Sequence, residues 1–122
     1  MRKDKIAPGM LCMIKPRGKT VLGYEIFGIY LDGAGNFVNR KTTGVEIDIA
    51  KTCTRSMPFI TLTSRKLNAG MLVVIVHDPI VIENKKARSQ MGLRPHSTIC
   101  EVLTPVDGRT RWVRSGLLSS AT

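Results

Sequence analysis

The residues of this sequence that could do chemistry are mostly basic side chains, and they fall into three groups. As candidate contacts to a nucleic acid or another partner they are Lys15, Arg17 and Lys19; Lys85, Lys86, Arg88 and Arg94; and Arg109, Arg111 and Arg114. Arg109 and Arg111 are two residues apart, so on a β-strand they share a face with about 7 Å between them. That distance is comparable with the spacing of phosphates along one nucleic-acid strand. The pattern therefore predicts contacts to a phosphate backbone.

The overall charge of the chain favours the same chemistry. Its 122 residues include 19 Lys and Arg against 9 Asp and Glu, a net charge of +10. Such a surface attracts polyanions: nucleic acid, an acidic protein surface or anionic lipid. A solvated basic surface that only keeps the protein soluble would explain the charge equally well. Because the Trp, Tyr and Phe residues all lie in apolar sequence contexts, no base-stacking platform is predicted, and backbone contacts are favoured over base recognition.

Catalytic and metal-binding patterns are weak. His77 is followed directly by Asp78, and neighbours on a strand face opposite sides, so the two do not form a dyad. Cys12, Cys53 and Cys100 form no C-x-x-C pair and suggest neither disulfides nor a zinc site. Phosphate-loop, nucleophile-elbow and metalloprotease motifs do not occur. We therefore expect a protein that is not an enzyme, with no metal or cofactor and with buried free thiols in a reducing compartment.

The last group of arginines lies in the segment with the clearest pattern, a β-hairpin. Residues 98–104 alternate as a half-buried strand does. Residues 105–108 supply Pro and Asp-Gly turn chemistry, and the chain then returns as a second strand at residues 109–113. From the alternation of this strand we expect Trp112 to fill the core, with Arg109 and Arg111 on the opposite face pointing to solvent.

Short strands separated by turn residues account for most of the remaining chain. They are predicted at residues 10–15, 21–31, 36–40, 45–49, 58–63 and 71–77. Residues 64–68 fit a short helical turn, and residues 84–96 fit a long exposed loop with one helical turn. No stretch keeps a helical period over ten residues, so the fold class is all-β, and a small barrel would remove the sheet edges. We place a flexible basic arm at residues 1–5 and a β-barrel domain at residues 6–119.

Two short motifs occur twice, in the same order. Residues 9–14 match residues 70–75, and residues 31–38 match residues 106–113 as apolar-Asp-Gly-x-x-x-aromatic-Val. An internal repeat of residues 9–63 and 70–119 would explain both, as two similar β units packed into one domain. Ordinary strand entries and turns would also explain them, since Asp-Gly followed by apolar residues is common in β proteins.

The Pro-Gly-entered strand at residues 8–14 and the Gly-Arg-Thr-Arg-Trp-Val strand before Leu117-Leu118 resemble small SH3-like barrel proteins encoded by tailed bacteriophages. The resemblance implies a barrel fold, a phage source and a location in the host cytoplasm or the virion. That fold serves protein, RNA and DNA binding alike, so the resemblance assigns no partner. No apolar run approaches the roughly 18 residues of a membrane helix, and we expect no membrane contact.

Two functions follow as expectations. The first is a non-enzymatic, basic β-barrel module whose positive loops contact nucleic acid or an acidic protein surface. The alternative is a virion structural or assembly protein whose loops make subunit contacts, in a homo-oligomer or a larger particle. Salt-dependent binding to polyanions would favour the first function, and a stable oligomer would favour the second.

Overall fold

The computed structural model describes residues 6–15, 21–42, 59–82 and 85–121. The strands, the α-helix and the 3₁₀ helix of these residues are β1 (Leu11–Ile14), β2 (Val21–Leu31), β3 (Phe37–Lys41), β4 (Phe59–Leu67), β5 (Leu72–Val81), α1 (Lys85–Met91), β6 (Thr98–Thr104), β7 (Arg109–Arg114), a 3₁₀ helix (Ser115–Leu117) and β8 (Leu118–Ser120). The predicted arm at residues 1–5 and the predicted strand at residues 45–49 lie outside the described residues.

The described strands form one antiparallel sheet in the order β3-β2-β7-β6-β5-β1-β8, with β4 also paired to β2. The predicted all-β class is therefore confirmed. The predicted closure into a barrel is not seen among these strands, because the path ends at β8 on one side and at β3 and β4 on the other. Tyr24 of β2 pairs with Ser64 of β4 and with Trp112 of β7. Both edges of β2 are thus already occupied.

The sheet buries two apolar clusters on opposite sides of β7. The first contains Ile6, Cys12, Ile14, Val21, Leu67, Val73, Ile75, Cys100, Val102, Val113 and Leu118. The second contains Ile26, Ile80, Ile82, Met91, Ile99 and Trp112. Alternation explains the split, since Val113 and Trp112 are neighbours on one strand and point to opposite faces. Trp112 is fully buried, as its position in the alternation predicts.

Strand β6 is buried on both faces, whereas its sequence predicts a half-buried strand. Ile99 belongs to one cluster and Cys100 to the other, and even Glu101 is only 6% exposed. The reason is its place in the sheet, between β5 and β7, where both clusters cover it. Alternation therefore identified the two faces of this strand correctly but not their solvent exposure.

Strands β1 and β5 pair through a local two-fold arrangement. The Gly9 amide donates to the Ile75 carbonyl and the Gly70 amide donates to the Ile14 carbonyl, both at 2.8 Å. Gly9 and Gly70 also share a left-handed backbone, with φ of +85° and +82°. The first pair of matched sequence segments therefore has the same local conformation in both copies. Duplication of the longer halves of the chain stays a prediction.

The structure corrects two predictions for the segments between strands. Residues 64–68, expected as a helical turn, instead continue β4 as far as Leu67, because they pair with the start of β2. The segment 84–96, expected as an exposed loop with one helical turn, does contain a helix, α1, but it is not exposed throughout, because Met91 of α1 is packed in the second cluster with 3% exposure. The packing of Met91 thus anchors α1 to the sheet, although the sequence of this helix has little apolar periodicity.

Candidate anion-binding cleft

A cleft opens where β2, β4 and β7 lie side by side. Because Tyr24 pairs with both Ser64 and Trp112, the residues that precede and follow these three share one face of the sheet. A cavity of about 340 Å³ lies on this face. It is lined by Gly23, Glu25, Phe27, Thr63, Ser64, Arg65, Arg109 and Arg111. The cleft therefore brings three arginines together with one carboxylate.

Arg111 is the most buried charged residue of the cleft, with a side chain that is 3% exposed. Its Nη1 donates to Thr104 Oγ1 at 2.6 Å and to Asp107 Oδ1 at 3.1 Å, and its Nη2 donates to Asp107 Oδ2 at 2.5 Å. The same Nη2 lies 3.9 Å from Glu25 Oε1. A two-point contact with a carboxylate fixes the plane of a guanidinium. The contacts with Thr104 and Asp107 therefore fix the orientation of the Arg111 guanidinium.

Asp107 anchors this arrangement from the turn between β6 and β7. Besides Arg111 it accepts hydrogen bonds from the Thr104 hydroxyl at 2.6 Å, the Arg109 amide at 3.1 Å and Arg65 Nη1 at 3.1 Å. The Arg111 guanidinium, followed by the Thr104 hydroxyl and the Arg109 amide, holds the pKa of Asp107 well below its usual range. Its carboxylate stays charged at every pH near neutrality.

Glu25 is the carboxylate that lines the cleft itself, and only 11% of its side chain is exposed. Its Oε2 lies 3.6 Å from Lys41 Nζ, and its Oε1 lies 3.6 Å from Arg109 Nη1. Lys41 is fixed further by a hydrogen bond from Nζ to the Thr110 carbonyl at 2.5 Å. Glu25 therefore pairs with Lys41 of β3 and with Arg109 of β7 at the edge of the cleft.

The charges presented to solvent at the cleft are positive. Lys41, Arg65, Arg109 and Arg111 surround two carboxylates, a surplus of two positive charges. The side chains of Arg65 and Arg109 are 61% and 66% exposed, against 21% for Asp107. The carboxylates thus lie inside while the two arginines reach outward, an arrangement suited to an anion.

Gly23 is the residue of β2 that makes room for Arg111. A Cβ atom built at Gly23 would lie 3.0 Å from Leu67 Cδ1, 3.1 Å from Arg111 Cδ and 3.3 Å from Arg111 Cβ. Any larger residue would push against the aliphatic stem of the arginine. The close approach of β2 to β7 therefore depends on a missing side chain.

The prediction that Arg109 and Arg111 share a strand face is consistent with the structure, but the prediction that both point to solvent is wrong for Arg111. The face they share also carries Val113, which is in the first apolar cluster. Along β7 this face therefore carries Val113 in the apolar core, Arg111 in a buried ion pair and Arg109 at the surface. Sequence alternation fixes which residues share a face, whereas burial depends on the strands placed beside it.

The other predicted site residues lie elsewhere. Arg114 donates to the Gly92 carbonyl, and Arg88 Nη1 lies 3.5 Å from the Pro95 carbonyl, so both hold the turn after α1. Arg94 in that turn is exposed. Lys15 follows β1, and its amide donates to the Leu117 carbonyl at 2.9 Å. Lys85 and Lys86 are the first two residues of α1. Arg17 and Lys19 lie outside the described residues.

A second cavity, of about 410 Å³, lies near this turn. It is lined by His96, Ser97, Thr98, Arg114, Gly116 and Leu117. Arg114 is the one Lys or Arg residue that lines it, and the Arg114 guanidinium already donates to the Gly92 carbonyl. The cleft at β2, β4 and β7 therefore concentrates more positive charge.

Four participants in the cleft are not predicted from the sequence: Glu25, Lys41, Arg65 and Asp107. Arg65 falls in the predicted helical turn, although the β-forming residues Thr61 and Thr63 before it are a signal that extends the strand. Asp107 is predicted only as a turn residue. Nothing in the sequence links Glu25 to Lys41, which lie on different strands and meet only after pairing.

The described cysteines are buried free thiols. Burial raises the pKa of Cys100 to about 11 and also raises the pKa of Cys12. Cys53 lies outside the described residues. Among the residues that the structure describes, no three His, Cys, Asp or Glu side chains are grouped so that they could hold a metal ion. In the same part of the chain, no helix has the length and apolar character needed to cross a membrane.

Comparison with known proteins adds no assignment. No protein-family model, curated protein or solved structure matches this chain. The resemblance to SH3-like phage proteins therefore stays a prediction, and a function has to be argued from the cleft and the surfaces around it.

Proposed function

We propose that this protein is a non-enzymatic module that binds nucleic acid through its phosphates, with the cleft between β2, β4 and β7 as the contact. The observation that carries the proposal is the arrangement of charge. The side chains of Arg65 and Arg109 are more than half exposed, whereas the carboxylates of Asp107 and Glu25 are mostly covered. An approaching anion meets guanidinium groups first, so the contact is attractive.

Among the described residues, each of the two exposed arginines is held through one of its terminal nitrogens. Arg65 is anchored through Nη1 to Asp107, and Arg109 Nη1 lies near Glu25. A guanidinium has five N–H donors, so each arginine retains donors for a phosphate oxygen. The carboxylates position the arginines and reduce the conformational entropy that binding would cost. The net charge of +10 adds long-range attraction for a polyanion.

The finer predictions from sequence belong to the same proposal. They are the SH3-like barrel, the tailed-phage source and the location in the host cytoplasm or virion. An SH3-like scaffold would be compatible with this cleft, but it serves protein, RNA and DNA binding alike, so the choice of nucleic acid rests on the charges of the cleft. The acidic protein surface remains the competing partner, because it would be attracted by the same arginines.

A salt titration tests the proposal. Binding of labelled 20-nucleotide single strands and a 20-base-pair duplex would be measured by fluorescence anisotropy between about 50 and 200 mM salt, where each phosphate contact contributes about one unit of slope. Arg65→Ala with Arg109→Ala should reduce the slope by up to about two units. Absence of binding at about 50 mM salt, or binding that salt does not weaken, would overturn the proposal.

Lys66→Ala with Arg40→Ala is the matched control. Both residues are exposed and neither lines the cleft. This pair removes the same formal charge, so it reports the effect of net charge alone. The cleft variant should lose more affinity than the control; equal losses would mean that the cleft is not the contact. Competition by an acidic homopolypeptide such as poly-glutamate, at equal charge concentration, would reveal the acidic protein surface as partner.

A second candidate function, subunit contact in an assembly, has its own observation. Leu11 and Leu72 are 41% and 48% exposed on the paired strands β1 and β5, and Val76 of β5 is 42% exposed. An apolar surface with local two-fold character suits contact with a second copy of the chain. Light scattering at 0.5 M salt, where charge repulsion is screened, tests it. Leu11→Gln with Leu72→Gln should abolish any oligomer.

A further inference from the structure

We infer that the ligand is single-stranded nucleic acid, and that the hairpin of β2 and β3 extends the cleft with an aromatic surface on which unpaired bases stack. This inference rests on the proposed function and adds the strandedness of the ligand. The key residue is Phe37, the first residue of β3. This residue is 75% exposed, although its apolar sequence context gives no reason to predict a base-stacking surface.

The hairpin and the cleft share one face. Phe27 of β2 lines the cleft and pairs with Lys41 of β3, whose Nζ reaches Glu25 on the same side. Side chains alternate along a strand, so Phe37 is on the face of Lys41. The face therefore continues from the arginines, through Lys41 and Phe27, to the exposed ring of Phe37.

Beyond Lys41 this face carries exposed apolar residues beside the polar Asn39, which pairs with Ile29. Ile29, which alternation places on the same face of β2, is 40% exposed. Together with the ring of Phe37 it forms an uncovered apolar area directly beside a cluster of cations. Nucleic acid combines the complementary features, since its phosphates are anionic and its bases have apolar faces that stack on aromatic rings.

The opposite face of the same hairpin is covered by its own residues. The guanidinium carbon of Arg40 lies 3.9 Å from the centre of the Tyr30 ring, and the Tyr30 hydroxyl is 2.7 Å from Thr42 Oγ1. Thr42 is fully buried. The hairpin is thus built asymmetrically, with one aromatic ring covered by a cation and the other left open on the side of the cleft.

The spacing suits an unpaired strand. Lys41 is four positions after Phe37 on β3, which at about 3.3 Å per residue is roughly 13 Å, a distance that a few nucleotides span. A strand whose phosphates lie at Arg109 and Lys41 could therefore place a base over Phe37. In a duplex the faces of the bases are already stacked on one another, so Phe37 would have no face to contact. The geometry consequently favours single strands.

Phe37→Ala is the decisive variant and Val38→Ala is its matched control. Val38 is 37% exposed on the same strand but on the opposite face. Loss of one base–aromatic stack weakens binding by about 5- to 150-fold. We expect that loss for a 20-nucleotide oligo-dT and an oligo-U, whose comparison separates DNA from RNA. Binding to a 20-base-pair duplex should change less than about twofold, and the salt slope should stay as in the wild type, because no phosphate contact is removed.

Phe37→Trp supplies a readout that does not depend on loss of binding. Trp112 is fully buried, so an added exposed indole would dominate any quenching by bound bases. We expect retained affinity and quenching by oligo-dT but not by the duplex. Quenching by both ligands, or by neither, would overturn the stacking inference.

The remaining outcomes separate this inference from the proposed function. If Phe37→Ala binds single strands as tightly as the wild type while salt still weakens binding, stacking is wrong and the anion-binding cleft stands. If Val38→Ala loses as much affinity as Phe37→Ala, the base does not stack on this face, and the inference is overturned. If the wild type binds no nucleic acid at about 50 mM salt, both proposals fail.

Discussion

Two hairpins of this protein carry the same sequence motif and use its aromatic residue in opposite ways. Residues 31–38 and 106–113 both have an apolar residue, Asp-Gly, three further residues, an aromatic residue and Val. In the first hairpin the aromatic residue is Phe37, which is 75% exposed; in the second it is Trp112, which is 0% exposed. The motif specifies a turn and a returning strand, and the environment of its aromatic residue comes from elsewhere.

The position of each strand in the sheet explains the difference. Strand β7 lies between β2 and β6, whereas β3 is at one end of the described strand order. Trp112 therefore packs among Ile26, Ile99 and other residues of the second apolar cluster, with the ring of His77 at 6.1 Å. Phe37 has a neighbouring strand on one side only among the described residues. A central strand buries its aromatic residue, and a terminal strand can present it to a ligand.

The Asp residue of the motif, Asp32 in the first hairpin and Asp107 in the second, also has different contacts in the two hairpins. Asp32 Oδ1 accepts the Ala34 and Asn36 amides at 2.9 and 2.8 Å, bonds that lie entirely within its own turn. Asp107 accepts the amide of Arg109 in its turn, but also the guanidinium groups of Arg65 and Arg111. The contacts of Asp32 thus stay within its turn, whereas those of Asp107 join its turn to other parts of the sheet. Mutations should therefore affect the two hairpins unequally.

The largest expected difference is between the aromatic residues. Trp112→Ala should lower the free energy of unfolding by about 3–5 kcal/mol, because it leaves a cavity in the second cluster. Phe37→Ala should lower it by less than about 0.5 kcal/mol, since an exposed ring has little packing to lose. Urea denaturation followed by circular dichroism measures both values. Similar losses in the two variants would contradict the contrast between buried and exposed motif positions.

Trp112→Phe sharpens the same comparison. Within the described part of the chain the buried Nε1 of Trp112 has no hydrogen-bond partner. Phenylalanine retains much of the ring volume and removes this polar atom, so its cost should be well below that of alanine. A loss as large as that of Trp112→Ala would mean that the indole nitrogen has a structural role.

A smaller effect is expected from the neighbouring arginines of the second hairpin. Arg111→Ala should destabilise the protein by about 2–3 kcal/mol at pH 7, because it removes the buried guanidinium that makes the two-point contact with Asp107. Arg109→Ala should cost less than about 1 kcal/mol, since its side chain is 66% exposed. Thermal unfolding of the two variants beside the wild type tests this.

The cost of Arg111→Ala should also depend on pH. The folded-state pKa of Asp107 lies below its unfolded value of about 3.9, so its ion pair stabilises the fold above that pH and is lost as the pH falls. The stability gap between the wild type and Arg111→Ala should therefore narrow below about pH 4. A gap of the same size at pH 7 and pH 3 would show that Arg111 acts through packing and not through charge.

The sequence was sufficient for features that depend on local patterns. The bounds of β6 match the prediction, and β7 extends only one residue beyond it, because turn chemistry and alternation are both clear there. The burial of Trp112 and the local match between the segments at Gly9 and Gly70 were also visible in the sequence. These features need information from only a few neighbouring residues.

The cleft could not be predicted because its parts are far apart in the chain. Glu25 and Arg111 meet only because β7 lies next to β2, although their pairing strands are separated by most of the sequence. The burial of Arg111 depends in turn on Gly23, whose missing side chain looks like an ordinary strand irregularity in the sequence. Alternation gives the face of a residue, and only the order of the strands determines what covers that face.

The smallest expected effect concerns the glycines of the two turns. The motif aligns Gly33 with Gly108, yet only Gly108 has a left-handed backbone, with φ of +69°, and in the first turn that conformation belongs to Gly35, with φ of +83°. A Cβ atom would meet no neighbour within 4 Å at any of the three positions. Differences among their alanine variants therefore report backbone conformation alone.

Gly35→Ala and Gly108→Ala should each lower the free energy of unfolding by about 1–2 kcal/mol, because L residues are strained at positive φ. Gly33→Ala should be neutral within about 0.5 kcal/mol, or slightly stabilising through the unfolded state. Chemical denaturation of the three variants measures these values. A loss at Gly33 equal to that at Gly108 would show that the two turns have the same conformation, and the contrast between the hairpins would then begin only after the turn.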